Sequence, residues 1–261
     1  MSNTTTRADF ILQELRRNGR VDAEDLSRQL AVNSSTIRRD LEKLERQNLL
    51  RRIHGGAVPA DTLSYSTYAC GLTFQENMGQ QIDEKESIAL AAMQFIKSGD
   101  TIALTPGTTT TRLARQIRQA QIQHLTVVTN AVNIAMELVG LPDINLTLIG
   151  GLLLPDFFAL VGPLAEHSLK QMYVSKAFIG VAGVHSEHGL TGPNQLEAFT
   201  HRMTIQQARQ VFLLADHTKL ENIVLYSIAP ITAIHTLITD KKAPPETLAK
   251  LSEKGIDVIE A

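Results

Sequence analysis

The sequence holds one cysteine, Cys70, in 261 residues. That excludes an internal disulfide framework and any zinc site built from several cysteines. No run approaches the roughly 18 consecutive apolar residues that a membrane-spanning helix needs. The opening MSNTTTRADF has no apolar stretch behind a charged start, so no secretory leader is expected either. Charge of one sign is also missing: a net −2 excludes a chain that is basic throughout. Histidines do not cluster. His185 and His188 stand close in sequence, while His167, His201, His217 and His235 are scattered, short of the converging ligands a metal needs. The expectation is a soluble, cytoplasmic chain with no membrane partner, no metal and no cofactor.

What is present is unevenly distributed. Residues 1–60 carry 11 Lys and Arg against 8 Asp and Glu, and residues 61–261 carry 14 against 19. A basic head on an acidic body suggests two units with different partners. In the head, Phe10, Ile11, Leu12 and Leu15 share a helical face over residues 7–18, and Asn18-Gly19 ends that helix. Asp22 can cap a second short helix, AEDLSRQL, with Leu26 and Leu30 inward. After Ala31-Val32-Asn33, a third helix starts at Ser34 or Ser35 and buries Ile37, Leu41 and Leu44. A short helix, a tight turn and a longer helix match the helix-turn-helix pattern.

A recognition helix points its N-terminal residues at base edges in the major groove. Here that end carries Ser34, Ser35, Thr36, Arg38 and Arg39. Hydroxyls can contact phosphates or bases, and arginine can bind a guanine edge bidentately. The later half, with Glu42, Lys43, Glu45 and Arg46, reads as solvated surface. In LLRRIHGGAVP, residues 49–59, Leu49, Leu50 and Ile53 can anchor a hairpin. Arg51, Arg52 and His54 supply charge, and Gly55-Gly56 supplies the turn. This is the pattern of a wing lying along DNA.

The stretch TIRRDLEKLERQNLLRRIHGGAV resembles the signature of bacterial transcription regulators of the deoxyribose-operon-repressor (DeoR) type. The resemblance implies a DNA-binding regulator, a repressor of carbohydrate metabolism, with residues 1–59 as a winged helix-turn-helix domain. Residues 60–73, ADTLSYSTYACGLT, lose helical period and read as a hinge. Cys70 inside it has no basic neighbour and reads as an idle thiol.

From about residue 74 the rhythm becomes alternating helix and strand, with TIALT, LTVVTN, INLTLIGG, KAFIGVAGV, VFLLAD and ITAIHTLITD as strands. EKESIALAAMQFIKSGD reads as one helix ending at Gly99. Alternation implies a mostly parallel sheet covered on both faces, with ligands at the carboxyl ends of the strands. The unusual residues gather there: Pro106-Gly107-Thr108-Thr109-Thr110, Thr129-Asn130, Gly150-Gly151 and Asp216-His217-Thr218-Lys219. Glycine, hydroxyls and a helix start favour an anion, and a lysine can meet a phosphate charge.

KAFIGVAGV, GLTGPNQLEA and LLADHTK resemble the effector domain of the same regulators. By that resemblance, residues 74–261 form an α/β effector-binding and oligomerisation domain similar to the ribose-5-phosphate isomerase fold. It implies that Gly107, Thr108 and Thr109 cradle the phosphate of a sugar effector, while Asn130, Gly151, Glu197 and Lys219 line the rest. Departures from the family pattern are Thr105-Pro106 where an aspartate is usual, Ser175 likewise, Leu220-Glu221 for Phe-Gly, and Phe199-Thr200-His201. All are expected at or beside the pocket.

The enzymatic alternative is a sugar-phosphate isomerase carrying a DNA-binding domain. Isomerisation needs a base and groups that stabilise an enediolate. Glu197 could be the base, but Gly180-Val181-Ala182-Gly183 supplies no carboxylate where such isomerases place paired aspartates. One acid without partners fits binding without turnover, so no catalytic residue is assigned. The expected assembly is a homo-oligomer, dimer or tetramer, because one head offers little DNA contact.

Overall fold

The computed structural model describes residues 3–18, 20–46, 49–53, 55–59 and 72–261. His54, Cys70 and residues 60–71 of the expected hinge lie outside the described residues. The chain divides into two compact units, Met1–Tyr68 and Ala69–Ala261.

In the first unit, helix α1 (Asn3–Asn18) is followed by strand β1 (Val21–Asp22), helix α2 (Ala23–Leu30) and helix α3 (Ser34–Arg46). Asp22 caps α2 through its carboxylate, accepting from the amides of Glu24 and Asp25. Ala31 takes the left-handed conformation at φ 50°, ending α2. The Ser27 hydroxyl then donates to the Val32 carbonyl at 2.6 Å, closing the turn. Helix α3 starts at Ser34 as expected, and Asn33 before it is the cap: its side-chain oxygen accepts from the Ser35 amide at 3.1 Å. Strands β2 (Leu50–Ile53) and β3 (Gly56–Pro59) form the hairpin, and β1 joins it in the order β1-β3-β2. Ile11, Leu15, Leu26, Ile37, Leu41, Leu44 and Leu50 form one core. Leu49 does not anchor the hairpin as expected; it is 47% exposed, because Leu50 takes the inward position at the start of β2.

The second unit starts with helix α4 (Leu72–Met78), two residues inside the segment expected to be linker. Helix α5 (Ile82–Met93) ends well before Gly99. Beyond it Phe95 and Ile96 turn into the core instead of continuing one face, with Phe95 against Phe212 at 4.8 Å between ring centroids. Strand β4 (Thr101–Leu104), helix α6 (Thr108–Gln119), strand β5 (Leu125–Thr129), helix α7 (Val132–Leu138) and strand β6 (Ile144–Leu148) follow. A hairpin of β7 (Leu152–Leu154) and β8 (Ala159–Val161) leads to helix α8 (Pro163–Leu169) and strand β9 (Val174–Ile179). Then come β10 (Gly183–His185), β11 (Gly189–Gly192), helix α9 (Gln195–Gln206), β12 (Ala208–Leu214), β13 (Tyr226–Ala229), β14 (Thr236–Thr239), helix α10 (Pro245–Glu253) and β15 (Asp257–Glu260).

The main sheet has seven strands in the order β15-β14-β12-β9-β4-β5-β6, and every pairing in it is parallel. One apolar cluster contains Leu104, Phe178, Leu214 and Ile238, and a second contains Ala103, Ile179, Ala215 and Leu237. Alternate residues of the central strands thus feed two cores, as a sheet buried on both faces requires. KAFIGVAGV is not one strand. It leaves the sheet after Ile179, and Gly183–His185 joins an antiparallel sheet with β11 and β13.

The chain lays down β4, β5 and β6 in one direction, then returns to place β9 on the other side of β4. The order of strands therefore reverses between β4 and β9. Ligands bind at such a switch point, outside the carboxyl ends of the strands. No helix among the described residues is long and apolar enough to cross a membrane.

Candidate functional site

A cavity of about 270 Å³ lies at that switch point. Its walls include Pro106 to Thr109 after β4, Gly180 to Ala182 after β9, and Ala215, Asp216 and Lys219 after β12. Glu197 and His201 of α9 and Phe74 and Asn77 of α4 complete much of the lining.

Sequence dictates the loop after β4. Gly107 precedes α6, and the hydroxyls of Thr110 and Thr111 donate back to its carbonyl at 3.0 and 2.7 Å. The first turn of α6 is thereby fixed with its early N–H groups at the cavity, where the helix dipole favours negative charge. Thr105 is buried; its hydroxyl oxygen accepts the Gly180 amide at 3.1 Å. That bond ties the carboxyl ends of β4 and β9 together beneath the cavity.

Two lysines line the cavity, Lys219 and Lys85. Lys85 is buried on α5, and burial lowers its ammonium to about 8, against the field of Asp216. Asp216 is itself held, its carboxylate accepting the amide and hydroxyl of Thr218. On α9, burial pushes the Glu197 carboxyl up to about 7. His201, one turn on, is lowered by burial, and its Nδ1 lies 2.9 Å from the Glu197 carbonyl. One part of the lining thus offers cations and helix N–H groups. Another offers a carboxyl raised to about 7 and an imidazole whose cationic form burial disfavours.

Of the residues expected in the pocket, Gly107, Thr108, Thr109, Glu197 and Lys219 line this cavity. Asn130 and Gly151 do not. Asn130 is buried with its side-chain amide on the Leu160 carbonyl at 2.9 Å, stitching the end of β5 to β8. Gly151 is glycine because a Cβ there would lie 2.6 Å from the Val161 carbonyl oxygen. Both serve the β7–β8 hairpin, which the alternating pattern did not reveal. Ser175 is likewise misplaced by the expectation: at the start of β9, its hydroxyl donates to the Thr101 carbonyl at 2.7 Å, at the amino ends of the strands. Nor is Glu197 the only acid, since Asp216 also faces the cavity.

Lys85 was missed although the sequence carries its signal. It shares the buried stripe of α5 with Ile88, Ala89 and Ala92, and a lysine on an apolar stripe needs a reason. His201 follows Glu197 at helical spacing and was legible in the same way. Phe74 and Asn77 lie beside the expected hinge, where no pattern points to a wall.

In the first unit, Ser35, Arg38 and Arg39 are exposed at the start of α3, and Ser34 and Thr36 are half-buried. Asp40, on the same helix, is buried and bound by Arg7. Arg51 and Arg52 are exposed on β2, and Gly55 turns the hairpin at φ +83°. The Arg52 amide donates to the Glu45 carboxylate at 2.8 Å, so helix and wing are fastened together. Toward its end α3 carries the exposed Arg46–Glu42 pair, as expected of a solvated face.

Residues 7–62 match the DeoR-like helix-turn-helix domain, and residues 80–241 match the DeoR C terminal sensor domain. The chain belongs to the DeoR family. Similar proteins run nearly end to end with it. The HTH-type transcriptional repressor GlcR of Bacillus subtilis (strain 168) is 34% identical over 250 residues, 95% of this chain and 93% of that protein. The HTH-type transcriptional regulator GolR of Listeria innocua is 32% identical, covering 97% and 96%. The glycerol-3-phosphate regulon repressor of Escherichia coli (strain K12) is 28% identical, covering 97% and 98%. Among solved structures, the full-length sorbitol operon regulator SorC from Klebsiella pneumoniae aligns over 96% of this chain and 99% of its own. That match is 12% identical with a TM-score of 0.39. A D-ribose-5-phosphate isomerase in complex with phospho-erythronic acid aligns over 53% and 54%, with 17% identity and a TM-score of 0.40. This DeoR-family chain is a DNA-binding transcriptional regulator, with the helix-turn-helix in its first unit and the sensor domain in its second.

Proposed function

We propose that this regulator represses a carbohydrate-metabolism operon and is controlled by a phosphorylated sugar bound in the switch-point cavity. One observation carries the reading: the N-terminal turn of α6, Lys85 and Lys219 face one cavity at the ends of β4, β9 and β12. Phosphate would sit against Gly107, Thr108 and Thr109, with Lys219 supplying countercharge. Glu197 and His201 would meet hydroxyls. The glycerol-3-phosphate regulon repressor carries a name consistent with this class of regulation.

In the first unit, Ser34, Ser35, Thr36, Arg38 and Arg39 would enter the major groove. Arg51, Arg52, His54 and Gly55 would follow the backbone or minor groove. A cytoplasmic homo-oligomer, dimer or tetramer, would present paired domains to a repeated or palindromic operator. Residues 60–73 would relay the state of the sensor. Binding without turnover fits the cavity: Glu197 has no second carboxylate on Gly180 to Ala182, and Asp216 is engaged by Thr218.

A thermal-shift screen of sugar phosphates tests the reading, since a ligand of the folded state must raise Tm. A hit that is stable on prolonged incubation, and that changes operator affinity, supports it. Consumption of the hit would instead favour the isomerase.

A further inference from the structure

Lys85 does more than line the cavity. An ammonium has three N–H donors, and two of them go to backbone carbonyls at the end of α4. Lys85 Nζ donates to the Asn77 carbonyl at 2.6 Å and to the Gln80 carbonyl at 2.8 Å. Asn77 lies in the last turn of α4, and Gln80 in the turn that follows it. The same helix gives Phe74 to the cavity wall, with its ring edge-on to Phe158 at 5.3 Å. Arg112 holds the next carbonyl, Met78, at 3.1 Å but does not line the cavity. Of the two cations on the end of α4, only Lys85 also faces the ligand space.

The charge on Lys85 is poorly compensated. It is buried, and the nearby carboxylate of Asp216 is engaged by Thr218. Lys219 and Arg112 oppose its charge further, and Glu84 favours it. A buried ammonium in that position gains from an anion more than an exposed one does. The helix it grips, α4, is the first described element after residues 60–71.

We propose that Lys85 is a positioning residue that turns occupancy of the cavity into a grip on α4: an anionic group of the ligand takes its third N–H, and its bonds to Asn77 and Gln80 then clamp the end of that helix. The inference rests on the cavity being an anion site. Lys85 Nζ has two carbonyl partners and, among the described residues, no hydrogen-bonded carboxylate; an anion on its third N–H is therefore a charge partner it otherwise lacks, and burial, which lowers it to about 8, makes that partner count for more. An anion keeps the ammonium charged and the clamp closed. Local stability of α4 then follows the ligand, and the link to the DNA-binding unit begins at a helix with two states of tightness.

Hydrogen exchange of the full chain tests this, with inorganic phosphate, ribose 5-phosphate and glycerol 3-phosphate as probes and thermal shift run alongside. A probe that raises Tm should slow exchange of amides 72–80 by at least about twofold more than it slows the remaining amides of the sensor unit. Lys85→Met should lose that slowing while keeping a reduced thermal shift through Lys219 and α6; Lys85→Arg should retain part of the slowing. If a probe raises the Tm of the wild type but leaves residues 72–80 unchanged, the clamp is wrong and the anion site stands. If Lys85→Met keeps the full slowing, Lys85 is not the clamp. If no probe shifts Tm, the anion reading fails and the clamp with it. Should Lys85→Met not fold, Lys85→Arg read against the wild type at amides 72–80 decides: an undiminished slowing overturns the clamp.

Discussion

Arg7 grips Asp40 with both arms of its guanidinium, Nε at 2.5 Å and Nη2 at 3.2 Å from the two carboxylate oxygens. The pair joins α1 to the buried side of α3 and takes an acid away from the helix face that carries Arg38 and Arg39. Asp40→Ala leaves Arg7 without its partner in a partly buried position and should cost the first unit about 2 kcal/mol, below the range for fully buried pairs. Chemical denaturation of that variant checks it. A midpoint equal to the wild type would mean the pair contributes nothing.

The arginines of α3 and of the wing should fail differently. Arg38→Ala should cost about 1–3 kcal/mol on cognate operator and little on scrambled DNA, the mark of a lost base contact. Arg52→Ala should weaken binding to every sequence and lower the salt slope by about 1. Titrations at several salt concentrations separate the two. Equal wild-type affinity for cognate and scrambled DNA would sink the assignment of α3.

At Gly56, where β1 meets β3, a Cβ would lie 2.0 Å from the Val21 carbonyl oxygen. Gly56→Ala must therefore push β1 off the hairpin and should destabilise the unit by about 2–4 kcal/mol. Operator affinity should fall with the lost stability and recover on cooling. An alanine variant that melts like the wild type would show that β1 does not pair as described.

Lys219→Met should remove the response of operator binding to sugar phosphate while leaving operator affinity in its absence unchanged. The measurement is a DNA titration with and without the screening hit. An unaltered response would take Lys219 out of the pocket.

Stability of the sensor unit should vary with pH in two opposite limbs. Glu197 is raised from 4.5 to about 7; across that interval the folded state binds the extra proton, so stability falls as pH rises. Lys85 is lowered from 10.5 to about 8; across that interval the unfolded state binds the extra proton, so stability rises with pH, by about 3 kcal/mol at most. Glu197→Gln should remove the first limb and Lys85→Met the second. Difference melting curves against the wild type isolate each group.

Which parts were legible follows from local physics. The three helices of the first unit announce themselves by apolar spacing and by Asp22 as a cap, and Arg38 and Arg39 fall where the pattern puts them. Strand β1 could not be seen, since Val21 and Asp22 carry no period of their own. In the sensor unit, strand–helix alternation and the glycine–threonine loop placed the cavity at the right strand ends. Asn130 and Gly151 looked equivalent to that loop because they also follow strands. Only the tertiary path of β7 and β8 shows that the chain fills the space beyond them with its own hairpin. Lys85 and α4 were missed because a cavity wall built from a helix beside the expected linker leaves no mark except a lysine among alanines.

The two-sided burial of the seven-stranded sheet divides the labour of the sensor. Leu104, Ile179 and Leu214, the last residues of β4, β9 and β12, are buried in the two cores, and residues that follow each strand, with Leu214 itself, line the cavity. Of the rim, Gly107, Thr108, Gly180, Ala182 and Lys219 belong to neither core, so the lining can change there while the cores stay as they are; Val181 packs against one of them. The fold acts as a socket whose rim can be recut while its seating stays the same.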